Sequence, residues 1–214
     1  MPNNKPAEVL SSQFKGSTQY WEERYKSGRN SGAGSYGRLA DYKATFLNSL
    51  VKELDIKSLA ELGVGDGNQL SLSDYPKYTG YDVTQSSISA CRQTFKDDRS
   101  KEFVKIDPLQ NLKSARKVDA TLSLDVIYHL IEDEVFEAHI YNLFKLSEKY
   151  VVIYSSNYNE RSEAKHVRHR KFTDFVGTSI KGWELMTSEE NPFGFDQENP
   201  DNTSHANFYV YKKL

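Results

Sequence analysis

A glycine turn, a series of acids and five histidines hold the chemistry open to this sequence. Glu61-Leu62-Gly63-Val64-Gly65-Asp66-Gly67-Asn68 sets glycines at alternate positions behind an acid. Glycine permits positive φ and lets a ligand approach the backbone closely. A dinucleotide-binding turn requires G-x-G-x-x-G; its third glycine would fall on Asn68. Asp82 closes Gly80-Tyr81-Asp82-Val83, about 20 residues past the turn, where an acid can accept both ribose hydroxyl protons. Asp107 ends Val104-Lys105-Ile106-Asp107, and Asp125 lies in Leu122-Ser123-Leu124-Asp125-Val126-Ile127-Tyr128-His129-Leu130. His129 is either a proton acceptor near neutral pH or a helix-start residue bonded to backbone. His166 and His169 stand in Lys165-His166-Val167-Arg168-His169-Arg170-Lys171. That run either grips a phosphate, carboxylate or nucleotide-linked group, with Arg168 and Arg170 as its forks, or is a solvated charged face. Asn157, Tyr158 and Tyr154 also face the expected acceptor side. His139 reads as a surface or edge residue without a role, and His205 as structural.

These residues must be placed by regular elements. Short apolar runs predict strands at Ser58–Leu62, Tyr78–Val83, Glu102–Ile106, Val118–Leu124 and Tyr150–Ser155. Between them, Ile88, Cys91 and Phe95 share one helical face, and Val135, Phe136, Ile140, Leu143 and Phe144 share another over 132–148. Strands joined by helical crossovers make a parallel sheet covered on both faces. Trp183–Thr187 and Ala206–Lys212 add two strands. The expected fold is α/β, a doubly wound, seven-stranded, mostly parallel sheet with the last strand antiparallel. Before it, Leu39, Tyr42, Phe46, Leu50 and Leu54 recur at helical spacing. Residues 1–17 read as a flexible polar lead and 18–214 as one domain, with 18–55 a helical lid and 56–214 the sheet core.

Four acid-bearing or glycine-bearing motifs thus stand at strand carboxyl ends, where open α/β sheets bind ligands. In order and spacing they resemble class I S-adenosylmethionine-dependent methyltransferases of the small single-domain type. The resemblance covers residues 58–155 best, and it implies the cofactor S-adenosyl-L-methionine. It implies that Glu61, Gly63 and Gly65 hold the amino-acid end, Asp82 the ribose, Asp107 the adenine amino group, and that Asp125 borders cofactor and acceptor. Many such enzymes carry an N-terminal helix as a lid. Tyr20-Trp21-Glu22-Glu23-Arg24-Tyr25 fits one, with aromatics such as Tyr20 over the sulfonium and Arg24 on the cofactor carboxylate, or with aromatics that merely dock the helix. One departure is a short helix after the glycine turn, because Tyr75-Pro76 interrupts it. The acceptor implied is a hydroxyl of a sugar, glycan or other small polar metabolite, neutral or anionic, with His129, His169 and His166 as candidate bases. Methylation of nitrogen or of a protein side chain, and a non-catalytic cofactor-binding module, are the competing readings.

Composition narrows the classes further. The net charge of −2 gives no bulk attraction for nucleic acid. The single Cys91 excludes internal disulfides and cysteine-cluster metal sites. No second acid follows the fifth strand to complete a metal site with Asp125, so no metal is expected. No apolar run approaches a membrane span, and the expected location is cytoplasmic.

Overall fold

The structure, a computed structural model, describes residues 14–214. Most of the expected flexible lead, residues 1–13, lies outside the described residues. Its stated end is corrected: Ser17 is buried and opens helix α1 (Ser17–Lys26). Helix α2 (Gly37–Glu53) follows the glycine loop. The core alternates β1 (Leu59–Leu62), β2 (Tyr78–Asp82), α3 (Gln85–Thr94), β3 (Lys101–Lys105), β4 (Val118–Leu124), α4 (Asp133–Leu146) and β5 (Ser147–Ser155). A two-residue hairpin, β6 (Glu160–Arg161) and β7 (Arg168–His169), precedes α5 (Phe172–Ser179), β8 (Trp183–Glu189) and β9 (Asn207–Lys213).

Seven strands form one sheet in the order β3-β2-β1-β4-β5-β9-β8. β9 runs antiparallel to both neighbours, and the other neighbouring pairs are parallel. The expected sheet is therefore present, with its last strand antiparallel. Burial on both faces explains the apolar runs of β1, β4 and β5. One face packs on α2 and α3 through Leu47, Leu50, Ile88 and Cys91. The other packs on α4 and α5 through Phe136, Ile140, Leu143, Phe172 and Val176. Strand order reverses between β1 and β4, so their carboxyl ends diverge into a crevice.

Three local expectations change. No α-helix follows the glycine turn; a single 3₁₀ turn, Leu70–Leu72, takes its place. α4 passes into β5 without a connecting loop, so 147–149 are strand rather than helix. The buried stripe of α2 runs through Leu39, Ala40, Lys43, Ala44, Leu47, Leu50 and Val51. Tyr42, Phe46 and Leu54 flank it, half-buried. The aromatic side chains drew the expected stripe off-centre, because a lysine sits in its middle. Among the described residues no helix is long and apolar enough to cross a membrane.

Candidate functional site

At the carboxyl ends of β1, β2 and β4 lies a cleft, partly open to solvent. Its floor is the glycine turn. Gly63 and Gly65 adopt φ of 92° and 61°, a region that costs side-chain-bearing residues strain. A Cβ on Gly63 would stand 2.5 Å from Val126 Cγ2, and one on Gly65 would stand 2.5 Å from Ser31 Oγ. The turn and Asp82 meet directly: the Gly65 amide donates to Asp82 Oδ2 at 3.1 Å. Asp82 Oδ1 accepts from the Thr84 amide and hydroxyl. Burial raises the Asp82 pKa despite these bonds. Glu61 is buried with Oε2 on the Tyr78 hydroxyl at 2.6 Å, and Oε1 has no hydrogen bond to the described residues. Desolvation pushes Glu61 up to about 7.

The wall above the turn is built around Asp125, at φ 59° after β4. Lys43 Nζ donates to its Oδ2 at 2.5 Å, and the Tyr128 hydroxyl donates to Oδ1 at 2.7 Å. A Cβ on Gly34 would stand 2.9 Å from the same Oδ2, so the glycine loop rests on this carboxylate. Lys43 and Tyr128 thus each hold one of the two Asp125 oxygens. Among the described residues no cluster of metal-ligating side chains occurs. Gln69 donates to the Ala40 carbonyl at 3.2 Å, one turn from Lys43, while its Oε1 is sealed in the wall without a partner. Lys43 and Gln69 escaped the sequence reading. A lone lysine in an apolar stripe carries a signal only once the stripe is phased correctly.

His129 lines the cleft beside Val126. Its Nδ1 lies 2.9 Å from the His166 carbonyl. A carbonyl only accepts, so Nδ1 carries the proton and Nε2 keeps its lone pair. Burial lowers His129 to about 4, leaving it neutral at physiological pH. Trp21 sets its ring edge-on to His129, with centroids 4.8 Å apart. His139 is corrected: it is a buried cleft residue, not a surface one, with Nε2 2.8 Å from Ser123 Oγ and burial lowering it to about 4. The far end of the cleft is mostly apolar, formed by Ile106, Pro108, Leu130 and Val135.

Helix α1 covers the cleft with Trp21 and Tyr25 and is fastened at both ends. Glu132 accepts from the Ser17 amide and hydroxyl at 2.9 and 2.6 Å. Glu22 accepts from the Gln85 amide and the Ser86 hydroxyl, both at 2.7 Å. The glycine loop is tied to the turn: Asp66 Oδ2 accepts from the Ser31 amide at 2.7 Å and the Tyr36 hydroxyl at 2.9 Å.

Several expected site residues lie elsewhere. Asp107 is exposed past the end of β3, where its Oδ1 accepts from the Leu109 amide and closes its own turn. Arg24 reaches the Asn30 carbonyl at 2.6 Å and stacks on Trp21, outside the cleft wall. Tyr20 stacks on His166 with centroids 4.4 Å apart, also outside it. The basic run is neither a solvated face nor an anion grip. Arg168 and Arg170 both pair with Asp133, at 2.9 and 3.0 Å, and both bond the Ile131 carbonyl. Arg170 is buried and bonds the Leu130 carbonyl as well. They brace the segment that leads into α4. Asn157 accepts from the Thr173 amide and hydroxyl at the start of α5. His169 is buried against Ser156 at 2.7 Å, and Tyr158 stacks on it while bonding His205 at 3.0 Å. A chain of rings, His129, Tyr128, His169 and Tyr158, thus runs outward from the cleft.

The sheet order, the antiparallel last strand and a cleft at the β1–β4 reversal define the fold of class I S-adenosylmethionine-dependent methyltransferases. Among solved structures, the chain resembles the N-methyltransferase NodS from Bradyrhizobium japonicum WM9 in complex with S-adenosyl-L-homocysteine, at 16% identity and TM-score 0.70, over 93% of this chain and 99% of that one. It also resembles magnesium protoporphyrin IX methyltransferase (ChlM) from Synechocystis PCC 6803 with bound S-adenosylhomocysteine, at 12% identity and TM-score 0.65, over 92% and 98%. A third is the methyltransferase domain of bacterial CtHen1-C, at 20% identity and TM-score 0.62, over 80% and 96%. No protein-family model matches the sequence, and no curated protein matches it.

Proposed function

We propose that this chain is an S-adenosylmethionine-dependent methyltransferase acting on a hydroxyl of a sugar or other small polar acceptor. The observation that supports it best is the meeting of Gly65 and Asp82 at 3.1 Å inside a cleft that runs from Glu61 to an apolar slot. The donor set fits an adenosyl ligand. Asp82 keeps acceptor capacity for ribose hydroxyls. Glu61 Oε1 and the orphaned Gln69 Oε1 await donors such as an ammonium group. Ile106, Pro108 and Leu130 suit a flat base. When bound, S-adenosylmethionine supplies a methyl carbon made electrophilic by its sulfonium.

The residues of the chain align the acceptor and exclude water. Trp21 and Tyr25 close the cleft from above. His129 Nε2 takes the acceptor's proton, and the His166 carbonyl fixes the ring in the tautomer that can do so. Because His129 is neutral far below pH 7, it needs no prior deprotonation. His166 and His169 are assigned structural roles, since the one stacks under Tyr20 and the other is held by Ser156.

Similarity to the N-methyltransferase NodS favours an amine acceptor as the second reading. Calorimetry with S-adenosylhomocysteine against NAD tests the cofactor, and methyl transfer from labelled S-adenosylmethionine to panels of hydroxyl and amine acceptors tests the chemistry. Binding of NAD alone would refute the proposal. Labelled product confined to amines would replace the first reading by the second.

A further inference from the structure

Among the described lysines, Lys43 alone is buried. It occupies the centre of the packed stripe of α2, yet it lines the cleft and spends its one hydrogen bond on Asp125 Oδ2, at 2.5 Å. Burying an ammonium and a carboxylate costs several kcal/mol of hydration that their attraction barely repays, and apolar replacements often serve stability better. Packing alone therefore does not account for the pair. Three carboxyl groups, Glu61, Asp82 and Asp125, line the same cleft as this one ammonium.

We propose that Lys43 sets how strongly the site prefers a positively charged sulfur over a neutral one, by cancelling the charge of Asp125. This rests on the S-adenosylmethionine reading above. Val126 packs on the glycine turn, where a Cβ built on Gly63 would stand 2.5 Å from its Cγ2. Asp125, next in the chain, lines the same cleft as Glu61, Gly65 and Asp82, and in the proposed arrangement it stands beside the stretch between Glu61 and the Gly65–Asp82 contact. A ligand with its ribose at Asp82 and its ammonium at Glu61 carries its sulfur through that stretch, because sulfur joins the two parts. During transfer the acceptor's lone pair forms the bond to the methyl carbon, and the carbon–sulfur pair stays on sulfur. Positive charge passes to the acceptor, which sheds a proton. A bare carboxylate beside the sulfur would attract it before transfer more than during it. Such an attraction deepens the ground state and slows the reaction. In a site of low dielectric this effect is large. Lys43 removes it while leaving Asp125 in place to hold Tyr128 and support the loop at Gly34.

The test is calorimetry on the full chain at pH 8, giving Kd for S-adenosylmethionine and S-adenosylhomocysteine in the wild type, Lys43→Met, Asp125→Asn and the double variant. Lys43→Met is expected to move the ratio of affinities about tenfold toward the sulfonium ligand, ~1.4 kcal/mol. Asp125→Asn, which bares the ammonium, is expected to move it a similar amount the other way. The double variant, a neutral pair, is expected to return the ratio to within about threefold of wild type. A purely structural role for Lys43 weakens both ligands alike and leaves the ratio unchanged. An unchanged ratio, or shifts of the same sign in both single variants, overturns the proposal. If Lys43→Met does not fold, Asp125→Asn against the double variant still decides the sign. A wild type that binds neither ligand refutes the S-adenosylmethionine reading itself.

Discussion

His129, Gly63 and Arg170 show how much a single position can demand. His129 joins a protonated Nδ1, a free Nε2 and a place on the cleft wall. His129→Gln is expected to lower kcat by about a hundredfold or more while leaving calorimetric binding of S-adenosylhomocysteine within a few-fold. Equal loss of both would make the residue structural. Gly63→Ala is expected to remove cofactor binding and to cost about 1–3 kcal/mol in denaturant melts, since the alanine must adopt φ 92° and displace Val126. Arg170→Ala should lower stability by a similar ~2 kcal/mol, because it leaves the Leu130 carbonyl without its donor and the Ile131 carbonyl and Asp133 with Arg168 alone. An effect of that variant on acceptor KM alone, with stability unchanged, would restore the anion-binding role.

At the scale of elements, α1 and the glycine loop form a cover tied down by acids. Four glycines in 28–37 give this loop wide backbone freedom, yet Asp66 holds it through Ser31 and Tyr36. Asp66→Ala is expected to raise amide exchange across residues 28–36 without changing the protection of β1 or β4. Uniform loss of protection would mean that Asp66 supports the whole fold. The motifs at strand ends were legible because glycines and acids at a turn have local causes: positive φ and exposure to a ligand. Glu61, Gly63, Gly65, Asp82 and Asp125 all reached the cleft for that reason. Asp107 and Arg24 misled because they bond close by, to the Leu109 amide and the Asn30 carbonyl, and the basic run because its partners lie far along the chain. Arg168 and Arg170 are 35 or more positions from Asp133, and no local pattern records such a pairing. Lys43 was missed by the same logic, since Asp125 lies 82 residues away.

Taken whole, the molecule stores two opposed proton linkages around one cleft. His139 falls from the ordinary histidine value of 6.5 to about 4 when buried. The folded state then refuses a proton that the unfolded chain accepts, so this contribution is complete above pH 6.5 and is lost as pH falls toward 4. Glu61 rises from 4.5 to about 7. Folded chains hold its proton more tightly, so its contribution is complete below pH 4.5 and is lost as pH rises toward 7. Each amounts to ~3 kcal/mol at most. His129, likewise lowered to about 4 by burial, adds to the His139 side, so the two histidines outweigh Glu61 and stability climbs with pH over this window. Glu61→Gln is expected to steepen that climb between pH 4.5 and 6.5, and His139→Gln to flatten it, as read by denaturant midpoints at each pH. Parallel slopes in the two variants would contradict the assignment.

The 3₁₀ turn at Leu70–Leu72, standing where a long helix would start, has an electrostatic consequence. A helix beginning at the glycine turn would point the positive end of its macrodipole at whatever lies there, which welcomes pyrophosphate and repels a cation. Here that field is absent, and the charged side chains that line the cleft are Glu61, Asp82 and the paired Asp125 and Lys43. A nicotinamide dinucleotide would lack its customary helix anchor there, whereas a cationic ligand meets no opposing helix dipole.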